Sequence, residues 1–600
     1  MFGLMRLGEY IKREDNVLMT QLEEYYNDLF NKYDFEIPLQ AERIGRIIHK
    51  ELEAFLCDAK NPAIYCNGRH TQNLLSDFVF ELKKVKIIID NFSQGEGCGY
   101  KIISKADIKS ENIDAIVVSS YNYMSQIVNE LKQEHPEVKV LNIYDKLRNH
   151  GIVLHSNYYY GIHPYHNYHY LNRLQRELLD SDNKNEIYFK IINKYIHIKD
   201  FKSAISYCRE ASEVTSKSQY EQIADDLEKI YALELEYIEK INENNVLMLC
   251  MDGLRYRDVN DTLLPNMYKC FREKWMNYGN TYSYSTSTYE SLVPAYSENT
   301  DMNTRYYEHN SVEGNNCRFV KKALEQQRDI YFYSDGAHYI EHEKIHYSEI
   351  PETISQMLWD FIVDAQKVNN GLFYIHGMYE THFAFLNPYT KAPLIAEGTA
   401  LLFDLLPVKG GKLRTDYVQQ HDDALRYLDD VLFPFLQRIK CNVVFYADHG
   451  NLLINQNSTL SDIKKEYLQC GEEWIHVPFF VKCHEKKAGF CGKLHSLMSI
   501  NNVVLSLLTN RKYEVKNERY IKIGRSKIYN PNFIKLYTLV GEEKCLQAFE
   551  GFIFPEGLKL IVHADGYVAL YDLNDNEIFD DDKKNELLVI VSKDVTVRSV

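Results

Sequence analysis

The sequence lacks a surplus of positive charge, a secretory leader and a long apolar run. It carries 69 Lys and Arg residues against 85 Asp and Glu residues, which gives a formal charge of −16. This balance argues against general binding of nucleic acid or of an anionic membrane, because both need a basic surplus to neutralise phosphates, and it leaves local basic sites open. No stretch reaches about 18 uncharged apolar residues, so we expect no integral membrane segment. The opening residues MFGLMRLGEYIKRED contain no long apolar core and no small-residue cleavage pattern, so we expect no secretory signal.

The sequence also lacks a CxxC pair, although it has twelve cysteines. Several of them stand inside apolar runs, as Cys250 does in VLMLCMD. In a chain of this length the pattern is typical of free, buried thiols in a reducing compartment. Together with the missing leader and membrane span, it predicts a cytoplasmic protein.

Length and periodicity predict several domains. At about 150 residues per domain, 600 residues suggest three or four units. Residues 1–58 show an apolar period near 3.6, which predicts helices. Residues 59–149 alternate short apolar strands with helices, which predicts a small parallel α/β module. The predicted strands of this module lie in PAIYCNG, VKIIIDN, IDAIVVSS and VKVLNIYD.

The α/β module resembles the Rossmann-like modules attached to bacterial sugar-modifying and glycan-assembly proteins. Its turn CNGRH keeps one glycine where a dinucleotide fingerprint has three. A structural or partner-docking role is therefore favoured over nucleotide binding. Residues 150–243 follow as a Tyr/His-rich linker without regular ligand spacing, and then as a helical connector.

Residues 244–600 predict one large α/β domain, because its strands are continuous apolar runs of the kind covered on both faces. Three of these runs end on polar residues. The first ends at Asp252, the second at His376 with His382 six residues later, and the third at Asp448 and His449. Since the carboxyl ends of parallel strands share one edge of a sheet, these side chains predict a metal site there. The glycines after Asp252 and His449 let the chain turn away from that edge.

The order of motifs over about 245–600 resembles the alkaline phosphatase superfamily, in its sulfatase-like and phosphoethanolamine-transferase-like branch. MDGLRYRD resembles the first-strand motif, YSYSTSTYESLVPAYS the nucleophile segment, ADHG the paired metal ligands and IHVPFF the late histidine motif. The resemblance implies a large mixed sheet covered by helices on both faces. The Rossmann-like module and the helical connector would precede that sheet.

The resemblance implies a role for eight residues. Thr288, at the start of a helix, would be the nucleophile, with Thr286 and Ser287 as alternatives. Metal ligands would be Asp252, Thr288, Asp448 and His449, joined by His382 and His476 at a second ion or at the substrate. His376 and Arg255 would contact the substrate. A threonine hydroxyl needs activation, which a divalent ion supplies. We expect one or two ions of Zn²⁺, with Mn²⁺ or Mg²⁺ as alternatives.

Two departures from the family pattern bear on the chemistry. Phosphatases with two metals carry an aspartate four residues before the histidine that His382 matches, and Met378 stands there. Glu380 or His376 could substitute for it. Sulfatases carry a C/S-x-P-x-R motif, which STSTYESLVP lacks, so phosphorus chemistry is favoured over sulfate-ester hydrolysis.

We therefore expect a metal-dependent phosphoryl-transfer enzyme. It would act as a phosphatase or phosphodiesterase, or as a phosphoethanolamine- or phosphoglycerol-type transferase, in surface-glycan metabolism. Its partner would be a phosphorylated small molecule or a glycan precursor. The alternatives are a sulfatase-like hydrolase, a non-catalytic scaffold that keeps the fold, and a nucleotide-binding regulator acting through residues 60–147.

Overall fold

The described residues form two compact units. The computed structural model describes residues 19–33, 35, 41–68, 70–71, 74–75, 78, 81–91, 95–97, 100–120, 123–149, 164–300, 311–334, 339–348, 353–394, 416–451, 453, 470–483, 488–528, 534, 537–538, 541 and 543–597. One unit comprises described residues of 1–20 and 30–167, and the other those of 21–29 and 168–600. The predicted division into four domains, at residues 58, 149 and 243, stays a prediction.

The first unit contains a six-stranded sheet. Its strands are β1 (Pro62–Tyr65), β2 (Ile87–Ile89), β3 (Gly95–Gly97), β4 (Tyr100–Ile103), β5 (Ala115–Val118) and β6 (Lys139–Asn142). Their order is β3-β4-β2-β1-β5-β6, and every neighbouring pair is parallel except β3 with β4. The parallel α/β module is thus confirmed, with β1, β2, β5 and β6 as its four predicted strands. The sequence did not predict β3 and β4, because GEG and YKII form no continuous apolar run.

Along the chain, helices come before, between and after the strands of this sheet, and those after residue 167 belong to the second unit. They span Gln21–Tyr33, Ala41–Leu56, Met124–Glu134, Ile143–Asn149, Pro164–Asp180, Lys184–His197, Phe201–Thr215 and Ser218–Lys240. Asp200 caps the helix Phe201–Thr215, because its carboxylate accepts the Ser203 N–H at 3.0 Å. The stretch 150–163 of the predicted Tyr/His-rich linker lies outside the described residues.

The second unit is built on an eight-stranded mixed sheet. Its strands are β7 (Val246–Met251), β8 (Met276–Tyr282), β10 (Asp329–Tyr333), β12 (Ile345–Tyr347), β13 (Gly371–Gly377), β14 (Asn442–Tyr446), β15 (Phe479–Lys482) and β16 (Gly489–Ser496). Their order is β12-β10-β13-β7-β14-β15-β8-β16. Strand β15 runs antiparallel to both β14 and β8. A separate two-stranded ribbon pairs β9 (Val312–Glu313) with β11 (Ile340–Glu341).

Helices cover both faces of this sheet. They span Pro265–Lys274, Thr288–Ser297, Arg318–Glu325, Ile354–Lys367, Asp416–Arg438, Glu472–Ile475 and Ile500–Leu508. Successive side chains of a strand point to opposite faces. In β13, Tyr374 joins a core cluster with Ile500 of one helix, whereas the ring of Phe373 packs 4.9 Å from that of Phe361 of another. The predicted fold class, a large mixed α/β sheet between helices, is confirmed.

A four-stranded antiparallel sheet ends the second unit. It orders β17 (Ile521–Arg525), β18 (Phe549–Ile553), β19 (Leu558–His563) and β20 (Val568–Asp572) in sequence. The helix Asp581–Val591 packs on it through Leu587. Among all described helices, none combines the length and apolarity needed to cross a lipid bilayer.

Candidate active site

Three strand ends meet at one edge of the large sheet. Strand β7 lies between β13 and β14, parallel to both, and Cys250 of β7 pairs with His376 on one side and with Tyr446 on the other. Asp252 follows β7 directly, and its N–H donates to the Gly377 carbonyl at 2.8 Å. Asp448 follows β14 by two residues. All residues of these three strands are buried, so the backbone holds the polar side chains rigidly at the edge.

Asp252, His382 and His449 form a group that can hold a metal ion. One ligand atom from each lies within 4.8 Å of the others. Nδ1 of His449 lies 2.6 Å from the Gly450 carbonyl, and Nδ1 of His382 lies 2.8 Å from the Phe383 carbonyl. Because a carbonyl oxygen only accepts, both Nδ1 atoms carry the proton and both Nε2 atoms keep a lone pair for a metal.

Two buried carboxylate oxygens support the same site. Asp252 Oδ1 and Asp448 Oδ2 have no hydrogen-bond partner in the described part of the chain. Each lies 3.4 Å from Nε2 of His449. A buried polar atom without a partner is costly, and a divalent cation would satisfy both oxygens. The group of one carboxylate and two imidazoles formed by Asp252, His382 and His449, with the Asp448 carboxylate next to His449, therefore fits such an ion.

The electrostatics of the two aspartates are linked. Burial alone raises the pKa of Asp252, but the neighbouring His382, His376 and His449 outweigh it and hold that pKa below its ordinary value. Burial, and then the negative charge of Asp252, raise the pKa of Asp448. Two carboxylates buried side by side repel each other, and positive charge between them would relieve the repulsion.

Gly253 and Asn451 hold the two aspartate segments together. The Gly253 N–H donates to Asp448 Oδ1 at 3.0 Å, and Asn451 Nδ2 donates to the carbonyls of Gly253 and Thr381 at 3.0 and 2.9 Å. Gly253 has a φ of +73°, and a Cβ there would lie 2.2 Å from Asn451 Nδ2. The turn therefore requires glycine. Sequence reasoning missed Asn451, although it directly follows ADHG.

Thr288 is placed against this cluster. It begins the helix Thr288–Ser297, after Ser287 in an extended conformation. Its Oγ1 donates to Asp252 Oδ2 at 3.3 Å and lies 3.3 Å from Nε2 of His449. By contrast, the hydroxyl of Thr286 accepts a hydrogen bond from Arg525. Of these two threonines, Thr288 is the one that contacts Asp252.

His376 supports Asp252 from beneath the cluster. It is fully buried, with Nε2 at 3.1 Å from Asp252 Oδ2 and Nδ1 at 2.8 Å from the Tyr374 hydroxyl. Because a carboxylate accepts, Nε2–H donates to Asp252 and Tyr374 donates to Nδ1. Behind it, the Tyr296 hydroxyl lies 3.4 Å from that of Tyr374. This geometry orients Asp252, and the predicted substrate contact of His376 stays a prediction.

Glu380 does not replace the family aspartate that Met378 displaces. Its carboxylate accepts the Ile354 N–H at 3.1 Å and a hydrogen bond from Tyr168. It therefore stabilises the start of the helix Ile354–Lys367. Burial raises the pKa of Glu380, while the hydrogen bonds from Tyr168 and Ile354 partly offset this.

His476 and Arg255 are engaged elsewhere. His476 donates from Nε2 to the Gly279 carbonyl at 2.8 Å, and its Nδ1 lies 3.3 Å from Glu472 Oε2. Arg255 binds Asp258 through Nε and Nη2 at 2.7 and 2.6 Å and also pairs with Glu473. The structure brings neither side chain to the metal cluster. Their roles as metal ligand and substrate contact stay predictions, without support from this geometry.

Comparisons with known proteins were made by sequence and by structure. Neither the protein-family models nor the curated proteins contain a match to this sequence. Solved structures do match, at low identity. A phosphonate monoester hydrolase from Silicibacter pomeroyi is 12% identical with a TM-score of 0.41, over 58% of this chain and 94% of its own. A 2-O GAG sulfatase is 13% identical with a TM-score of 0.39, over 59% and 91%.

A further structural neighbour carries the name of the predicted family. It is a protein in the alkaline phosphatase superfamily from Vibrio parahaemolyticus, 11% identical with a TM-score of 0.36, over 60% of this chain and 94% of its own. The neighbours named here are thus a phosphonate monoester hydrolase, a sulfatase and a protein of the alkaline phosphatase superfamily.

Proposed function

We propose that this chain is a metal-dependent phosphoryl-transfer enzyme with Thr288 as its nucleophile. The observation that carries the proposal is the position of Thr288 Oγ1, which lies 3.3 Å from both Asp252 Oδ2 and His449 Nε2. A hydroxyl at the start of a helix, beside a cluster that can hold a cation, has the surroundings that phosphoryl transfer requires.

Asp252, Asp448, His449 and His382 would hold the ion. Nitrogen and carboxylate ligands in a four-membered set favour Zn²⁺, with Mn²⁺ or Mg²⁺ as alternatives. A bound divalent ion supplies Lewis-acid chemistry and the positive charge that a phosphoryl group needs. His376 fixes the orientation of the Asp252 carboxylate, and Gly253 and His449 donate backbone N–H groups to Asp448 at 3.0 and 2.8 Å.

Thr288 then attacks the substrate. Its Oγ1 forms a bond to phosphorus as the bond from phosphorus to the leaving oxygen breaks. Asp252 Oδ2 accepts the hydrogen bond of the hydroxyl and so orients it, and the proton of the hydroxyl passes to water. The leaving oxygen takes a proton from water. The first turn of the helix Thr288–Ser297 leaves backbone N–H groups without intrahelical partners, which would be available to the phosphoryl oxygens. The product of this step is phosphothreonine at position 288 when the substrate is a monoester, and a phosphothreonine that keeps the second ester group when the substrate is a diester.

The second step decides the class of enzyme. If water attacks the phosphothreonine, the chain is a phosphatase or phosphodiesterase, and Thr288 regains its proton. If Thr288 carries a phosphoethanolamine or phosphoglycerol group from a diester donor and the hydroxyl of an acceptor attacks its phosphorus, that whole group passes to the acceptor, Thr288 regains its proton, and the chain is a transferase of that type. We propose a phosphorylated small molecule or glycan precursor as the donor, in surface-glycan metabolism.

Sulfate-ester hydrolysis is the second candidate, because a GAG sulfatase is among the structural neighbours. The nucleophile segment STSTYESLVP has no cysteine and no arginine, so it lacks the motif that sulfatases convert to formylglycine. Phosphate esters are therefore the favoured substrates.

Intact-mass measurement tests the proposal. The protein is loaded with Zn²⁺ or Mn²⁺ and given p-nitrophenyl phosphate or bis-p-nitrophenyl phosphate. We expect turnover and a trapped adduct, both lost in Thr288→Ala; the adduct should have the mass of one phosphoryl group with p-nitrophenyl phosphate and of one p-nitrophenyl phosphoryl group with bis-p-nitrophenyl phosphate. Ser287→Ala is the matched control and should keep the adduct.

Two results would overturn the proposal. An adduct that survives Thr288→Ala would move the nucleophile to another hydroxyl. A protein that binds neither metal and turns over neither ester would support the non-catalytic scaffold instead.

A further inference from the structure

Arg525 lies beside the proposed nucleophile and has no role in the function described so far. It is the last residue of β17, in the C-terminal sheet. The preceding Gly524 N–H donates to the Tyr284 carbonyl at 2.8 Å, and Nη1 of Arg525 donates to Thr286 Oγ1. The C-terminal sheet thus delivers a guanidinium to the segment that carries Thr288.

Most of the donors of this guanidinium have no acceptor among the described residues. Arginine carries five N–H donors, and within the described chain Arg525 makes the one hydrogen bond to Thr286. No carboxylate of the described residues lies within ion-pair distance of it, and its buried Nε has no partner there. Arg255, a buried arginine of the same unit, binds both Asp258 and Glu473. A partly buried guanidinium left in this state calls for an anion.

The local backbone places this guanidinium on the side of Thr288. Ser287 is extended, with φ −143° and ψ 150°. In an extended segment, side chains two residues apart point to the same side, after two steps of about 3.3 Å each. The hydroxyl of Thr286, with Arg525 bound to it, therefore lies on the same side of the segment as Thr288 Oγ1. A phosphoryl group on Thr288 would fall within reach of a side chain as long as arginine.

The charge of the site favours such a residue. One divalent ion offsets the two carboxylates of Asp252 and Asp448 and leaves no net positive charge for an anionic substrate. A phosphate monoester carries nearly two charges at neutral pH because its second pKa is about 6, and it has three non-bridging oxygens. A diester has one charge and two such oxygens. A guanidinium added to a cation site suits the monoester better.

We infer that Arg525 binds a non-bridging oxygen of the substrate's phosphoryl group and makes the site selective for phosphate monoesters. The inference rests on the proposed function, since it assumes that the phosphoryl group is bound at Thr288. It assigns the C-terminal sheet a part in substrate recognition.

Two measurements on the full chain test it. The first is the affinity of inorganic phosphate by calorimetry, with Zn²⁺ present. The second is kcat and KM for p-nitrophenyl phosphate and for bis-p-nitrophenyl phosphate. A hydrogen bond to a charged group contributes enough that Arg525→Met should weaken phosphate binding by about 10- to 100-fold. The monoester should lose kcat/KM by a similar factor and the diester by less. Arg525→Lys should restore part of the loss.

Controls separate recognition from folding. Arg519→Met removes an exposed arginine just before β17 and should leave both measurements unchanged. Zn²⁺ affinity should be the same in Arg525→Met and wild type, because Arg525 is not a ligand. If Arg525→Met fails to fold, the comparison is made with Arg525→Lys and Arg525→Gln.

The outcomes distinguish the two proposals. If wild type turns over and forms the Thr288 adduct, but Arg525→Met keeps its phosphate affinity and its ratio of monoester to diester activity, Arg525 is not the anion-binding residue. If wild type shows no turnover, the proposed function fails. In that case a loss of phosphate binding in Arg525→Met would still establish an anion site, and unchanged binding would overturn it.

Discussion

At the scale of the residue, the histidines of this site differ in the hydrogen-bond partners of their two ring nitrogens, and these partners indicate the role of each histidine. His449 and His382 give Nδ1–H to a backbone carbonyl and keep Nε2 for a cation. His376 uses Nε2–H to hold Asp252. In His476, Nε2 donates to a carbonyl and Nδ1 faces a carboxylate. A histidine that supports a ligand tunes metal affinity without touching the metal.

His376→Phe is therefore expected to lower the affinity for Zn²⁺ by about 10- to 100-fold. The change removes the donor to Asp252 while it keeps a ring in the buried position. Competition with a chromophoric chelator measures the affinity, and circular dichroism checks the fold. His476→Gln should keep the wild-type affinity. A loss in His476→Gln as large as in His376→Phe would instead make His476 a ligand, as its sequence motif predicts.

At the scale of the element, the turn after β14 packs closely against the short helix Glu472–Ile475, because Gly450 has no side chain. The Gly450 N–H donates to the Trp474 carbonyl at 2.7 Å, and its own carbonyl accepts Nδ1–H of His449. A Cβ on Gly450 would lie 1.9 Å from the Glu473 carbonyl oxygen. This contact is with backbone, so the short helix Glu472–Ile475 would have to move.

Gly450→Ala should therefore cost about 1–3 kcal/mol of stability, as overpacking does, and should weaken metal binding because it displaces the carbonyl that orients His449. Thermal unfolding and the chelator assay measure the two effects. Gly68→Ala is the control, since a Cβ there meets nothing within 4 Å. Equal melting temperatures of Gly450→Ala and wild type would show that the turn tolerates a side chain.

At the scale of the whole molecule, the helical connector belongs to the same compact unit as the large sheet. Its helices bring two buried carboxylates, Asp200 and Glu234, to one cavity that Tyr389 and Phe435 also line. Burial, and then the charge of Asp200, raise the pKa of Glu234 to about 8. The free energy of unfolding therefore depends on pH through Glu234 of the connector.

Glu234 should make the protein less stable as pH rises from about 4.5 to about 8. Over that range the unfolded chain loses the Glu234 proton while the folded chain keeps it. The free energy of unfolding therefore falls as pH rises. Glu234→Gln should raise the melting temperature at pH 8 and change it little at pH 5. Melting curves across this range measure the difference. Glu213→Gln, at an exposed position of the neighbouring helix, should show no such trend, and a flat difference for Glu234→Gln would contradict the expectation.

The sequence predicted the core of the fold because continuous apolar runs can be buried only in a covered sheet. β7, β13 and β14 were predicted in this way, together with the polar residues at their ends. The sequence did not predict β8 and β16, since MNYGNTY and GFCGKLHS mix polar and apolar residues. Their pairing depends on neighbours far along the chain, which a local pattern does not contain.

By itself, then, the sequence determined that Asp252, His449 and Asp448 would follow the ends of strands, because each of them comes after a continuous apolar run. The carboxyl ends of parallel strands lie at one edge of the sheet. Only the tertiary structure decided that His382 and His449 turn Nε2 toward the cluster, that Glu380 and Arg255 bind other groups, and that Arg525 reaches Thr286 from 239 residues away. Hydrogen bonds are satisfied in space, between groups that the order of residues does not bring together.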